Sequence, residues 1–566
     1  MKIHGLDKFL PILGWLPNYQ RDWFRFDLVA GITAAAVVIP KAMAYATIAG
    51  LPVETGLYTA LIPMVIYAIL GSSRMLSFSA TSTIAILVAG ELSMLAEDGI
   101  TATPIAVAST LAFLVGVFLL LAGIFRLGFI ANFISDPVLT GFKAGLGMVI
   151  IVDQAPKLLG IHFDKGRFLE NILSIFRHMP ETNVATLVLA LATLALMFGL
   201  ERFRPHSPAP LFAVLLGIVS SWLLLPASAG VELVGRIPAG LPAPVLPDLS
   251  LIGKLWPGAM GIALMTYTES IAAGRAFARH GDRRPDPNRE LTAIGAANLA
   301  GSFFQAFPAG GGTSQTAVND KAGARSQLAE LVTAGIVLAT LLFLYPVIGI
   351  MPQATLAAVV IATTVELVSP AEFRVILRVR STEFWWSVTA FVGVVAFGTL
   401  RGILVAVAVS VLTLFYQANR PPVYAVGRKR GSSVFRPQLG QHPDDETIPG
   451  LLIIRTEGRM TFASAPQVGE RMWELIREAG PRVVILECSA IPDLEYTALR
   501  ALTGFEERLA ESGITLWLVA LNPEALKVVE RSPLGRKLGH GRMFFDLPHA
   551  VDAYLSGKGG KTSAGE

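Results

Sequence analysis

PAGGGTSQTAVN, at positions 308–319, lies in the middle of a long hydrophobic region of the chain. Three consecutive glycines beside small hydroxyl residues weaken a helix and let backbone amides approach a ligand closely, so this stretch indicates a broken helix. Helix resuming at Thr316 would place the amides of Gly311, Gly312 and Thr313 at a helix N-terminus, where unpaired N–H groups and the positive end of the dipole attract anions. The alternative is a Gly-rich loop between two spans.

A second break of the same kind, GSSRMLSFSATST, occupies residues 71–83 and precedes the apolar run 84–89. Its Ser, Thr and small residues predict another half-helix whose N-terminus lies inside the protein. Transporters built from inverted repeats use two such elements, one in each half, to form a site near the middle of the membrane. The two breaks together therefore predict a transport site.

The composition is that of a membrane protein. Of the 566 residues, 53% are hydrophobic and 16% are charged, which is too apolar for a soluble protein of this size. The single cysteine, Cys488, excludes an internal disulfide framework. The net charge of +4 requires no nucleic-acid partner, since Lys and Arg gathered in cytoplasmic loops produce the same bias. Residues 1–26 show no cleavable signal pattern and are interpreted as a cytoplasmic or interfacial segment.

Fourteen apolar stretches are long enough to cross a bilayer or to form half of a broken crossing. They form two sets of seven, at 27–227 and 255–418, within a transmembrane domain at 27–419. An odd number of spans in each set forces the second copy to insert upside down, which predicts a polytopic α-helical membrane protein with an inverted repeat. The stretches are 27–50, 55–70, 77–95, 104–125, 132–155, 183–200, 209–227, 255–277, 290–307, 312–322, 327–347, 354–368, 383–399 and 401–418.

The distribution of basic residues predicts the orientation of the chain. If the N-terminus is cytoplasmic, most Arg residues of the connecting loops lie inside. The short outside turns near Val53, Asp98 and Pro352 then contain no Lys or Arg, as the positive-inside rule requires. An even number of spans places both termini in the cytoplasm, on the inner side of the plasma membrane.

After residue 419 the composition changes. Residues 420–446 are rich in Arg, Pro and Gly and are interpreted as a linker. In 447–556, short apolar strands alternate with amphipathic helices, which predicts a small cytoplasmic α/β domain. This region contains no P-loop and no GxGxxG motif, so nucleotide hydrolysis is not expected. Residues 557–566 are predicted to form a disordered tail.

Specific motifs are spread over almost the whole chain. IPKAMAYATIAGLPVETGLYTA stands at 39–60, FISDPVLTGFKAGLG at 133–147, and GARSQLAEL at 323–331, shortly after the glycine-rich break. Together they resemble the sulfate permease (SulP) family of anion transporters, bacterial relatives of the mammalian solute-carrier 26 exchangers. The C-terminal domain is similar to the STAS domain of that family, which we interpret as a scaffold or dimer-stabilising element.

The resemblance implies a fourteen-span fold in which a core domain moves against a gate domain, and it implies a homodimer. It also implies one anion bound between the N-termini of the third and tenth spans, with first-span residues closing the pocket. Carried onto this sequence, the substrate-binding residues are Ala44, Tyr45, Ser77, Phe78, Ser79, Ala80, Gly311, Gly312, Thr313 and Ser314.

Glu269 is a carboxylate inside an apolar span, and such residues are functional by default. The family carries an acidic residue here that is associated with cation coupling, and protonation of Glu269 would couple transport to a proton gradient. In sodium-coupled relatives a hydroxyl residue follows one turn later, where this chain has Ala273, so protons are favoured over sodium. The alternative is that Glu269 only pairs with a neighbouring donor such as Thr266 or Gln154.

Two positions depart from the family pattern. Gln315 stands where many members have Arg, and Lys41 stands where Gln is common. Our hypothesis is that the positive charge of the pocket has moved from one side to the other, which adds both residues to the predicted substrate site. The alternative is that Lys41 reaches the membrane interface or pairs with Glu269. Lys143 is a further intramembrane cation whose partner the sequence does not identify.

The leading functional prediction is a secondary active transporter that carries a small anion by alternating access. Sulfate, bicarbonate and dicarboxylates all suit a pocket of hydroxyls and amides. The alternatives are an uncoupled exchanger or channel, a sodium-coupled bicarbonate transporter, and a membrane sensor that reports anion occupancy through the STAS-like domain. An enzyme is not expected, because no metal cluster, nucleophile–base pair or cofactor fingerprint appears in the sequence.

Overall fold

The computed structural model describes residues 11–12, 16–99, 102–129, 135–163, 168–204, 208–223, 230–235, 237–238, 240–278, 285–438 and 444–557. The chain divides into two compact units, residues 1–410 and 411–566. The predicted tail at 557–566 lies, except for its first residue, outside the described residues.

The first half of the membrane region is helical wherever the sequence is continuously apolar. Its third helix begins at Ser82, near the end of the break at 71–83, which contains a two-residue strand. The elements are α1 (Trp23–Ile48), α2 (Val53–Leu70), β1 (Phe78–Ser79), α3 (Ser82–Glu97), α4 (Pro104–Ile124), α5 (Asp136–Leu159), α6 (Phe168–His178), α7 (Val184–Phe203) and α8 (Ala209–Leu223).

The second half repeats this order, including a two-residue strand before a helix that starts inside the unit. Its fourth helix passes through a π-helical turn, Thr340–Leu344, before it continues. The elements are α9 (Ile252–Ala276), α10 (Pro287–Ser302), β2 (Gly310–Gly311), α11 (Thr313–Lys321), α12 (Leu328–Ala339), α13 (Tyr345–Gly349), α14 (Gln353–Val365), α15 (Pro370–Val379), α16 (Ser381–Phe397) and α17 (Thr399–Ala418).

Every one of the fourteen predicted segments contains a helix. Eight helical stretches of the described chain are long and apolar enough to cross a membrane, and α3 and α8 are shorter apolar helices. The number of fourteen spans stays a prediction. The short helices α6 and α15 were not predicted, because each is amphipathic and only 11 and 10 residues long.

The helices pack as two groups. Helices α1 to α4 pack with α9 to α12, and the most extensive contact within this group joins α4 to α10. Helices α5, α7, α8, α14 and α16 form the other group, in which α5 packs on both α14 and α16. The two groups meet mainly where α1 contacts α8 and α14. Because α1 and α14 belong to different groups, residues near their contact lie at the boundary between the two groups.

Gly56 allows α2 to pack directly on α1. A Cβ atom at Gly56 would lie 2.0 Å from the carbonyl oxygen of Ala42, closer than any real contact. We expect Gly56→Ala to lower the free energy of unfolding by about 1–3 kcal/mol, because the backbones must separate. Thermal unfolding of the purified protein measures this loss. Gly199→Ala in α7 is the matched control, since no atom lies within 4 Å of a Cβ there; an equal loss in both variants would contradict the packing argument.

The C-terminal unit is a six-stranded mixed sheet with helices on both faces. The strand order is β4-β3-β5-β6-β7-β8, with β5 to β8 parallel and β3 antiparallel to both neighbours. Its elements are β3 (Val423–Arg428), β4 (Phe435–Pro437), β5 (Leu451–Thr456), α18 (Ala465–Ala479), β6 (Val483–Glu487), α19 (Tyr496–Glu511), β7 (Thr515–Val519), α20 (Pro523–Glu530), α21 (Pro533–Leu538), β8 (Met543–Phe544) and α22 (Leu547–Leu555).

Alternate residues of the central strands pack in two separate hydrophobic cores. In β7, Leu516 and Leu518 pack with α18 and α19, whereas Trp517 and Val519 pack on the side of α22. This burial on both faces explains the continuous apolar strand sequences. The α/β architecture was predicted correctly. The linker prediction for 420–446 was wrong, because β3 and β4 lie within this segment and pair with the sheet. The segment was interpreted as a linker because it is rich in Arg, Pro and Gly, and this composition gives no sign of two short strands.

Candidate functional site

The two breaks in the sequence meet in space. Strands β1 and β2 pair antiparallel, with Phe78 opposite Gly311 and Ser79 opposite Gly310. Helix α3 begins three residues after β1, and its N-cap Thr81 accepts a bond from the amide of Ile84. Helix α11 begins two residues after β2, with Gly312 as its N-cap. The paired strands thus hold two helix N-termini side by side within the membrane unit.

The glycines serve mainly to let β2 approach its neighbours. The amide of Gly311 donates to Ser270 Oγ at 2.8 Å, and that of Gly312 donates to the carbonyl oxygen of Ser77 at 3.1 Å. A Cβ atom at Gly311 would lie 2.9 Å from the Cα atom of Ser270, so no larger residue fits. The expectation that both amides are unpaired was therefore wrong. The donors at this end of α11 are the amides from Thr313 onward.

A cavity of about 90 Å³ lies between the two helix N-termini. That volume accommodates several water molecules, and hence one small inorganic anion. Helices α1, α3, α9 and α11 line it from one helix group, and α5 and α14 line it from the other. The predicted residues that line it are Lys41, Tyr45, Ala80, Glu269, Gly311, Gly312, Thr313, Ser314 and Gln315.

Lys41 supplies positive charge at the start of α11. Its side chain is 7% exposed, and Nζ donates to Ser314 Oγ at 3.1 Å. The lysine therefore lies beside the amides of the first turn, where helix dipole and charge act in the same direction. Both alternatives, that Lys41 reaches the membrane interface or pairs with Glu269, were wrong.

Gln315 connects α11 to the segment that follows β1. Its Oε1 accepts a bond from Ser79 Oγ at 2.8 Å, and its Nε2 donates to the carbonyl oxygen of Ala80 at 3.3 Å. The side chain is 2% exposed, so the cavity meets an amide that is already bonded on both ends. Gln315 brings no charge to the site, which leaves Lys41 as the cation on this side.

Glu269 lies on α9 and faces the N-terminus of α3. Thr83 Oγ1 donates to Glu269 Oε1 at 2.8 Å, so a neighbouring donor does bind this carboxylate, but it is Thr83 and not Thr266 or Gln154, the examples that the alternative named. Lys143 on α5 lines the same cavity and is the positive group that acts electrostatically on this carboxylate. Lys143, whose partner the sequence did not identify, thus shares the cavity with Glu269 from the opposite helix group.

Four predicted residues support the site without lining it. Ala44 is fully buried in α1. Phe78 stacks on Tyr67 with ring centroids 4.9 Å apart. Ser77 Oγ donates to Glu330 Oε2 at 3.1 Å, and Ser79 holds Gln315. The predicted N-terminus at 77–80 was displaced by several residues, because β1 occupies these positions and the helix begins at Ser82.

Sequence reasoning missed two kinds of cavity residue. Thr81, Ser82 and Thr83 are hydroxyl residues just before an apolar run, so the N-cap preference for Ser and Thr could have identified them. Thr363, near the end of α14, carries no such signal and reaches the cavity through the packing of α14 on α1. Glu366 is a carboxylate inside the predicted segment 354–368, so the reasoning that identified Glu269 could have identified it too.

Models of known families match both units. The model described as sulfate permease family matches residues 24–390, and the STAS domain model matches residues 442–549. A probable sulfate transporter of Mycobacterium tuberculosis (strain ATCC 25618 / H37Rv) is 34% identical over 551 residues, which cover 96% of this chain and 98% of that protein. Sulfate transporter 3.1 of Arabidopsis thaliana is 31% identical over 578 residues, 97% of this chain and 87% of that protein.

Solved structures also resemble the chain. The murine solute carrier 26 family member A9 anion transporter, in the inward-facing state, superposes with a TM-score of 0.87 over 98% of this chain and 95% of that chain, at 23% identity. The transmembrane domain of a cyanobacterium bicarbonate transporter, BicA, has a TM-score of 0.60 over 69% of this chain and 98% of that chain, also at 23% identity. At this identity the likeness shows the fold alone, and it confirms the predicted fold class.

Proposed function

The chain belongs to the sulfate permease family, and on that premise we propose that it carries sulfate, or an anion of similar size and charge, together with protons by alternating access. The resemblance predicted from the motifs is thereby confirmed, as is the prediction that the chain is a transporter and not an enzyme. Sulfate is the substrate favoured here because the relatives described above are named as sulfate transporters.

The cavity between the two helix groups is the observation that carries the proposal. Two helix N-termini and the Lys41 amine converge there. Backbone amides and one amine can bind an anion even where the protein supplies no full set of opposite charges around it. Because α5 and α14 line the cavity from the other group, sliding of one group against the other would open it to alternate sides of the membrane.

Proton coupling is proposed from the position of Glu269. Its carboxylate shares the cavity with the anion-binding groups and with Lys143, so addition of a proton removes a negative charge next to the place of the anion. The proton and the anion then favour each other's binding, which is the thermodynamic requirement of symport. Ala273, one turn further along α9, offers no hydroxyl ligand for sodium.

The remaining parts of the proposal concern placement and assembly. We place the protein in the plasma membrane with both termini in the cytoplasm, as the basic loops favour. A homodimer, supported by the STAS domain, is the proposed assembly. Uncoupled exchange, sodium-coupled bicarbonate transport and sensing through the STAS domain are the competing functions.

Uptake into proteoliposomes tests the function. We expect labelled sulfate to accumulate above its equilibrium level under an inward proton gradient and only to equilibrate without one. Bicarbonate and fumarate are measured in parallel, and each anion is also offered with a sodium gradient alone. Accumulation driven by sodium would overturn proton coupling, and equilibration under every gradient would identify an uncoupled exchanger.

A further inference from the structure

Glu91 is a buried carboxyl that the proposed mechanism does not use. It lies on α3, the helix whose N-terminus forms the cavity, and its side chain is 4% exposed. Its Oε1 atom makes no hydrogen bond within the described part of the chain. The carboxyl group sits directly on the backbone of α9, where a Cβ atom at Gly258 would lie 2.1 Å from its carbon. The missing side chain at Gly258 thus creates the slot that Glu91 occupies.

The other deeply buried carboxylates of the described membrane unit are held by several donors. Asp27 accepts bonds from two backbone amides and two hydroxyl groups. Glu290 accepts bonds from one tyrosine hydroxyl, one serine hydroxyl and one backbone amide. Glu330 is bound by one serine hydroxyl and one asparagine amide. Those three carboxylates are fixed in place by the donors around them. Oε1 of Glu91 has no donor among the described residues.

Among the described residues no cation forms an ion pair with Glu91, and Lys254 on α9 pairs with Asp98 instead. Helix α3 packs on α9, α1, α4 and α5. The sequence of α4 contains no titratable residue. The cations that α1 and α5 bring toward α3 are Lys41 and Lys143, and both line the cavity at the opposite end of the helix. Burying an ionised carboxylate without a hydrogen-bond donor or a cation beside it costs free energy. The close packing of α3 on α9 at Glu91 is therefore compatible with a neutral carboxylic acid.

Glu91 lies near an exposed ion pair at one end of α3 and α9. Lys254 on α9 is one turn from Gly258, about 6 Å along the helix, and it pairs with Asp98 at the end of α3 with both side chains more than half exposed. In the other direction, Thr83 is eight residues away along α3, about 12 Å. Glu91 therefore lies between the cavity and the exposed Asp98–Lys254 end, which the predicted orientation places outside.

We propose that Glu91 is a second proton-binding site of the protein, which takes up its proton from water at the Asp98–Lys254 end and retains it while α3 and α9 are in contact. Release of that proton requires α3 and α9 to separate within their own helix group, a movement additional to the sliding of one group against the other. In transport, the proton on Glu91 adds to that on Glu269, so that a divalent anion moves with two protons and no net charge. This stoichiometry rests on the proposed function, whereas the protonation of Glu91 does not.

Infrared titration of the purified full-length protein measures the protonation directly. We expect a band from a buried protonated carboxyl group that disappears as the pH rises, is absent in Glu91→Gln and is retained in Glu269→Gln. Gln resembles the protonated acid, so Glu91→Gln should unfold at the temperature of the wild type. Glu91→Asp, which withdraws the carboxyl from Gly258, should shift the band. A band unchanged in both Glu91 variants would overturn the proposal.

The ratio of protons to sulfate in proteoliposomes tests the role in transport. We expect the ratio to fall by half in Glu91→Gln while sulfate uptake continues, and transport to change from electroneutral to current-carrying. An unchanged ratio in a folded variant would overturn the second-proton role. If wild-type uptake shows no dependence on protons, it is the proposed function that fails, and the infrared titration still decides whether Glu91 binds a proton.

Discussion

Replacing Lys41 with Gln is expected to weaken sulfate binding by roughly 10- to 100-fold, the effect of losing a hydrogen bond to a charged group. Lys41 is buried and its amine lies 3.1 Å from Ser314 Oγ, at the first turn of α11. The neutral amide of Gln315 cannot replace this charge. Isothermal titration of purified Lys41→Gln with sulfate measures the loss directly.

A second substitution tests whether the position of the charge matters. Gln315→Arg in the Lys41→Gln background returns a cation to the cavity from the α11 side and should recover much of the affinity. Arg must displace the bonds that Gln315 makes with Ser79 and Ala80, so recovery is expected to be partial. Lys527→Gln, on the exposed surface of the C-terminal unit, is the control for loss of one positive charge. A double variant that binds no better than Lys41→Gln would refute the charge-exchange hypothesis.

Glu269→Gln is expected to abolish proton-driven accumulation of sulfate while leaving sulfate binding and equilibrium exchange intact. Gln has the shape of the protonated acid and stays neutral at every pH, so the cavity permanently resembles its proton-loaded state. The side chain can still bond to Thr83, which keeps the local structure. Uptake with and without an inward proton gradient, compared with sulfate-for-sulfate exchange, separates the two activities.

Glu366→Gln is the matched control, because this second carboxyl lines the same cavity from the opposite helix group. It should retain accumulation if coupling resides in Glu269. Proton-driven accumulation of sulfate that persists in Glu269→Gln would contradict the proton-coupling role of Glu269 and leave it a structural role only. Accumulation lost equally in both variants would show that coupling depends on the total charge of the cavity.

Local sequence predicted the helices and the approximate position of both breaks. The glycines at 310–312 indicated a helix start, which was predicted at Thr316 and lies three residues earlier, at Thr313. The pairing of β1 with β2 was not predicted, because two-residue strands carry no periodic signal and their register depends on residues from opposite halves of the chain. The same limit explains the displaced start of α3, which only the observed strand reveals.

The cavity was predicted on one side and missed on the other. Residues of the two breaks, with Lys41 and Glu269, could be identified because their chemistry is unusual in an apolar segment. Thr363 on α14 is an ordinary polar residue in sequence, and its place in the cavity follows from the packing of two helix groups. The hydrogen-bond partners were harder to predict, since the bonds from Thr83 to Glu269 and from Gly311 to Ser270 join residues distant in the chain.

The pairing of β1 with β2 also has a consequence for how the protein is made. Phe78 and Ser79 leave the ribosome well before Gly310 and Gly311, so the backbone groups of β1 have no partner strand during early membrane insertion. Unpaired backbone groups are not tolerated in contact with lipid. The first repeat must therefore keep this segment away from the bilayer until the second repeat arrives, so the proposed anion site is completed only after residues 310–311 are inserted.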